Sequence, residues 1–289
     1  ELSQQFGDNV LEETNNFELL VTDRADLGDL PESLVALAAE EAKRRDHDCD
    51  ECWVFTLQRP SINPFLQYSP NREMRKQLFD GYAMRADNDN EFDNKAIISR
   101  MVALRAERSA LMGYDNHAAF VLSDNMAETP DNVYNLLNQV WQPALERAKE
   151  ERADMQAMME ADGIDDKLRG WDWRYYTEKV RKAKYDLDSD EVKQYLQMDR
   201  LREAMFWVAG ELFGFAFTPV DDVPVFHDDV RVWEITRGAG GERAGLWYFD
   251  PYARAGKRSG AWCSAPSTES KATWRCNWRP TATALRRPT

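Results

Sequence analysis

The sequence predicts a mainly α-helical chain carrying short strands and one β-hairpin. Three observations lead there: apolar residues recur at helical spacing over most of the length, helix starts and stops can be named, and a single glycine-rich reversal joins two β-rich runs. With 289 residues, 43% hydrophobic and 11% aromatic, the chain can bury a substantial core as one large helical domain or two moderate ones.

Short strands are expected at Phe17 to Val21 and at Trp53 to Leu57, where β-branched and aromatic residues stand between turn formers. Pro31 precedes Ser33-Leu34-Val35-Ala36-Leu37-Ala38-Ala39, a proline near a first turn followed by strong helix formers. Asn71 opens a helix with Met74, Leu78, Phe79 and Tyr82 on one face. Asp93 opens another with Ile97, Met101, Leu104, Arg108 and Leu111, closed by Gly113. Thr129-Pro130-Asp131 starts a long helix through Met159 that carries Val133, Leu136, Leu137, Val140, Trp141 and Leu145, and Pro143 is expected to kink or divide it. From Met198 to Phe213 the set Leu201, Met205, Val208, Ala209, Leu212 and Phe213 predicts a core-facing helix stopped by Gly214. The hairpin is expected from Val230 to Thr236 and Ala244 to Phe249 around Gly238-Ala239-Gly240-Gly241. Residues 1–262 contain no internal repeat and no long linker.

The final stretch differs in kind. From Cys263 to Thr289 the only large aliphatic is Leu285, and Lys271, Arg275, Arg279, Arg286 and Arg287 face a single acid, Glu269. Such a composition does not offset its own ordering entropy. Residues 263–289 are therefore expected to be a disordered or frame-shifted basic tail following a helical region over 1–262.

A formal charge of −14 opposes the basic footprint of a nucleic-acid binder and disfavours anionic membrane surfaces. No apolar run approaches the roughly 20 residues of a membrane helix. The four cysteines, Cys49, Cys52, Cys263 and Cys276, are too few and too uneven for a disulfide framework, so a reducing compartment is the default. Cys49 and Cys52 form a C-x-x-C near His47, but Asp46, Asp48, Asp50 and Glu51 would raise rather than lower a thiol pKa. A solvated acidic loop is preferred there over a metal or redox site.

Several separate segments, in order, carry a family resemblance. They begin with Trp53-Val54-Phe55-Thr56-Leu57, Pro64-Phe65-Leu66-Gln67-Tyr68-Ser69 and Asn71-Arg72-Glu73-Met74-Arg75. They continue with Leu111-Met112-Gly113-Tyr114-Asp115-Asn116-His117-Ala118, Met126-Ala127-Glu128-Thr129-Pro130, Trp171-Asp172-Trp173-Arg174-Tyr175-Tyr176 and Lys184-Tyr185-Asp186-Leu187-Asp188. The last runs from Tyr248-Phe249-Asp250-Pro251-Tyr252-Ala253-Arg254 into Gly256-Lys257-Arg258-Ser259-Gly260-Ala261-Trp262. Together they make the chain resemble the thimet oligopeptidase and peptidyl-dipeptidase family of zinc metallopeptidases.

That resemblance implies a largely helical, two-lobed fold around a channel admitting short unstructured peptides. It also implies a zinc ion held by two His of H-E-x-x-H and a downstream Glu, with the motif's Glu as general base. The chain has only His47, His117 and His227, and none stands in that motif. By that comparison it is expected to be truncated at both ends, to bind no catalytic zinc and to hydrolyse nothing by itself. No catalytic or metal residue is therefore assigned, and zinc and short peptide substrates are expected of the full-length family, in the cytoplasm or, with a lost signal sequence, the periplasm.

Among individual residues, His117 reads as a cap or core filler and His227, beside Asp228 and Asp229, as surface loop. Asp165-Asp166 and Asp221-Asp222 read as solvated acids. On the run from Trp171 to Tyr185, Tyr175, Lys179 and Lys182, or Tyr176, Lys179 and Arg181, could line a peptide channel, although a structural role is preferred. By analogy with that family, Gly260, Ala261 and Trp262 are the expected substrate contacts, where an edge strand of small residues would let a peptide backbone pair with it. The rival readings are a non-catalytic helical module that binds peptides or a protein, and a nucleic-acid binder working through the basic tail.

Overall fold

A computed structural model describes the chain except at residues 48, 50, 186–188, 253, 255, 256, 258, 259, 262, 265–272 and 277–289, and describes only the backbone at 189, 190, 193 and 273–276. Ten helices and seven strands are described: α1 Leu2–Asn16, β1 Leu19–Val21, α2 Glu32–Arg44, β2 Trp53–Phe55, α3 Arg59–Tyr68, α4 Arg72–Ala83, α5 Lys95–Leu111, α6 His117–Leu122, α7 Pro130–Ala161, α8 Gly170–Tyr185, α9 Ser189–Tyr195, α10 Met198–Phe213, β3 Phe215–Pro219, β4 Arg231–Arg237, β5 Arg243–Phe249, β6 Cys263–Ser264 and β7 Thr273–Cys276. The mainly α class is as expected from the sequence. The chain divides into two compact units, Glu1–Leu187 and Asp188–Thr289.

In the first unit, β1 and β2 pair antiparallel with Leu20 opposite Val54. Leu19, Val21, Trp53 and Phe55 from this ribbon pack with Leu34 and Ala38 of α2, Ile62, Phe65 and Leu66 of α3 and Leu78 of α4. Phe55 meets Phe65 edge-on at 4.6 Å between ring centroids, the arrangement aromatic quadrupoles favour. The Asn71 side chain caps α4 by accepting from the Met74 amide, and the Thr129 side chain caps α7 by accepting from Asn132. A smaller core joins Met155 and Met159 of α7 to Leu168 and to Tyr176 of α8. Helix α1 is tied down by polar groups: the buried Glu13 carboxylate accepts from the Ala86 amide at 2.8 Å, and Asn94 donates to the Phe6 carbonyl at 3.0 Å.

The second unit is a five-stranded sheet in the order β3-β4-β5-β7-β6, with α10 on one face. Trp233 of β4 lies opposite Trp247 of β5. With Phe217 and Phe249 they form the aromatic face onto which α10 lowers Phe206, stacked on Phe217 at 4.2 Å. Val230, Val232, Leu246 and Tyr248 form the other face, under Val220, Val223 and Phe226. Of residues 263–289, β6 and β7 are strands, with β7 parallel to β5. The rest of that stretch lies outside the described residues.

Of the two outcomes expected at Pro143, division does not occur, and α7 continues through it as one helix. Two features depart from expectation. The α7 residues Leu136, Leu137, Val140 and Trp141, spaced for a core, are exposed. On α10, Leu201, Met205, Val208 and Leu212 are exposed, and the sheet is met instead by Phe206 and by Arg202, whose guanidinium lies 5.0 Å from the Trp233 ring centre. Helical spacing identifies an apolar stripe but does not fix which element covers it.

Candidate functional site

Gly260 and Ala261 lie ahead of the edge strand β6 rather than in a strand, and the chain leading to them starts with a clamp where β5 ends. Asp250, fully buried, accepts from Arg254 Nη1 at 2.7 Å and Nη2 at 2.9 Å. Lys257 Nζ reaches the Asp250 carbonyl and the Tyr252 carbonyl at 2.7 Å each, and the Asp250 carboxylate at 3.1 Å. Burial alone would raise the Asp250 pKa, but the hydrogen bonds from Arg254 and Lys257 outweigh it and hold the carboxyl below the usual range. The chain then continues through Gly260 and Ala261, both exposed, into β6 at the sheet edge. Gly260 has φ +142°, where a side chain would be strained. Small exposed residues leading into an edge strand leave room for an extended peptide backbone. Trp262, expected with them, lies outside the described residues.

The aromatic and basic residues of α8 are engaged elsewhere. Tyr176 is fully buried, and burial and the nearby Asp162 push its phenol above the ordinary value. Tyr175 lies under the Arg75 guanidinium at 4.3 Å. Lys179 pairs with Asp162 at 2.5 Å, and Arg181 pairs with Glu178. Lys182 is exposed.

A charge network that sequence reasoning missed joins α4 to α8. Arg72 and Arg75 converge on Asp172, and Arg72 also reaches Asp166 at 2.8 Å, so Asp166 is an ion-pair partner rather than a solvated acid. Desolvation pushes the Asp172 pKa up, yet the two guanidiniums and the Arg169 amide lower it overall. Arg72 and Arg75 stand three apart, one helical neighbour from each other, but nothing local in the sequence names their partner about a hundred positions on.

The three histidines stand on different elements. His47 pairs with Glu18 at 3.2 Å, and His227 Nδ1 accepts from the Asp229 amide at 3.1 Å. His117 is the first residue of α6, and its Nδ1 is buried with no hydrogen-bond partner. Asp221 and Asp222 are exposed. Among the described residues no group of three or more His, Cys, Asp or Glu side chains could hold a metal ion. The described residues therefore do not assemble the ligand set of a catalytic zinc site.

Comparison with known proteins gives a match to Peptidase family M3 over residues 65–288. The chain is 37% identical over 262 residues to a dipeptidyl carboxypeptidase of Escherichia coli, covering 90% of this chain and 38% of that protein. It is 34% identical over 281 residues to a probable cytosolic oligopeptidase A of Arabidopsis thaliana, covering 93% and 39%. Against oligopeptidase A of Escherichia coli it is 33% identical over 266 residues, covering 91% and 38%. The chain thus spans less than two-fifths of the length of these relatives.

Proposed function

The chain belongs to Peptidase family M3, and on that premise we propose that it forms part of a zinc metallopeptidase that hydrolyses short peptides and releases dipeptides from their C-termini. The observation that carries this reading is the match to a dipeptidyl carboxypeptidase across most of the chain. Zinc ligands and the general base come from outside this chain, because H-E-x-x-H is absent from its sequence. The chain's own part is to bind: Gly260, Ala261 and Trp262 offer backbone groups to an extended substrate. The position of β6 at the sheet edge and the exposure of Gly260 and Ala261 support that assignment. The charge of −14 favours neither nucleic acid nor an anionic membrane as partner. Among the described residues no helix is long and apolar enough to cross a membrane, and the proposed compartment is the cytoplasm.

The test is a chimera. Residues 1–262 replace the matching stretch of the Escherichia coli dipeptidyl carboxypeptidase, and release of C-terminal dipeptides from N-blocked tetrapeptides is measured with and without a chelator. Chelator-sensitive release is expected, whereas a folded, zinc-loaded chimera without it would overturn the proposal. In the active chimera, Ala261→Pro removes an amide from the proposed pairing segment and is expected to raise KM at least tenfold.

A further inference from the structure

Cys49 and Cys52 are joined by a disulfide in the loop between α2 and β2, with Cα atoms 6.0 Å apart. The acidic stretch read from the sequence as a solvated loop is therefore closed by a covalent bond, although Asp48 and Asp50 lie outside the described residues.

The two sulfurs differ in setting. Cys49 is exposed, while Cys52 is buried against Ala42 of α2 and Val54 of β2. Residue exposure therefore favours an incoming thiolate at the first over the second. A bond between neighbouring cysteines with one sulfur open to solvent has the features of an exchangeable pair rather than a buried staple.

From this asymmetry we propose that Cys49–Cys52 is a thiol–disulfide exchange site for a small thiol without net negative charge, with Cys49 the sulfur attacked and Cys52 the resolving thiol. An external thiolate attacks Cys49 Sγ. The sulfur–sulfur bond breaks, its electron pair leaves on Cys52 Sγ, and that thiolate takes a proton from water. A second thiolate attacks the external sulfur of the mixed disulfide, releasing Cys49 and the oxidised small thiol. The protein disulfide gains two electrons, and two molecules of thiol are oxidised to one disulfide. The charge preference follows from chain connectivity: consecutive Cα atoms are about 3.8 Å apart, which keeps Glu51 within about a Debye length of Cys49.

The test uses the full chain carrying Cys263→Ser and Cys276→Ser, equilibrated with reduced and oxidised cysteamine and alkylated. Trypsin cleavage after Arg45 leaves both cysteines on one peptide for mass spectrometry. The dithiol to disulfide ratio is expected to rise tenfold for each tenfold rise in squared reduced over oxidised thiol. With Cys52→Ser, Cys49 should accumulate as the mixed disulfide, while in Cys49→Ser the Cys52 thiol should react at least tenfold more slowly. Cysteamine should reduce the pair several-fold faster than glutathione, each rate normalised to an uncharged reference disulfide, and 1 M salt should compress that ratio. Independent alkylation at every ratio, a bond that resists excess thiol, equal reactivity of the two Ser variants, or glutathione reacting as fast as cysteamine would each overturn the proposal.

Discussion

Arg75 and Asp172, 97 positions apart in sequence, form an ion pair at 3.0 Å in which the arginine side chain is 1% exposed and the aspartate 0%. Three further hydrogen bonds hold the guanidinium. Nη1 donates to the carbonyls of Ser69 at 2.7 Å and Pro70 at 3.2 Å, and Nε donates to that of Trp171 at 3.2 Å. A buried pair of this kind adds little or no net stability over a well-packed apolar pair, but it is costly to break from one side, because the survivor stays buried and unpaired.

Asp172→Asn is accordingly expected to destabilise the first unit by about 3–5 kcal/mol, read as a lower urea midpoint. The pH dependence follows from the lowered Asp172 pKa. A carboxyl that binds its proton less readily when folded stabilises the fold above its unfolded pKa of about 3.9. That contribution falls away as pH drops through the folded value. Urea midpoints measured between pH 6 and pH 3 should therefore fall on acidification in the parent chain and fall less in the Asn variant. An equal decline in both would assign the acid sensitivity elsewhere.

Phe206→Ala removes the ring that α10 places against Phe217, Trp233 and Trp247. Full aromatic truncations cost about 3–5 kcal/mol, and Phe206 is only half-buried, so a loss of roughly 2 kcal/mol is expected. Tryptophan emission should shift as water reaches the aromatic face. An unchanged spectrum and midpoint would show that α10 is not held through this ring.

Gly81→Ala would ordinarily favour a helix interior by up to about 1 kcal/mol. Here the new Cβ would sit 2.3 Å from Phe17 Cε2, and Phe17 is packed against the main core, so the ring has little room to yield. A net destabilisation of about 1–2 kcal/mol is expected from overpacking. A variant at least as stable as the parent would contradict the close approach of α4 to the chain after α1.

The two halves of α7 should respond oppositely to substitution. Met159→Ala, at a residue 0% exposed, should cost about 2–5 kcal/mol. Trp141→Gln, at one 61% exposed, should change stability by no more than about 0.5 kcal/mol while lowering the fluorescence of a dye that binds apolar surface. A large thermal effect at Trp141 would mean that this face is covered in solution.

Local rules read well wherever structure is decided locally. Gly214 stops α10 with a left-handed φ of +67°, and the hairpin strands lie within one residue of their expected bounds. Harder cases depend on distant partners. The run Arg59 to Tyr68 holds Pro60 and Pro64, yet it is helical because Pro60 falls in the first turn and Ile62, Phe65 and Leu66 enter the core. Phe215 to Pro219 forms a strand because Phe217 pairs opposite Ile235 and stacks on Phe206. Gly260 and Ala261 are candidates through family likeness alone. Asp250, Arg254 and Lys257, which hold the approach to them, stood in the same motif but gave no sign of converging.

A rod fastened along one end only is a structure with two clocks. In α7 the amides near Met155 and Met159 are released only when the packing beneath Tyr176 gives way. Those between Pro130 and Ala144 can open turn by turn with little else disturbed. Deuterium should accordingly enter from the proline end and stall near Met155 and Met159, so a single helix would report two separate free energies.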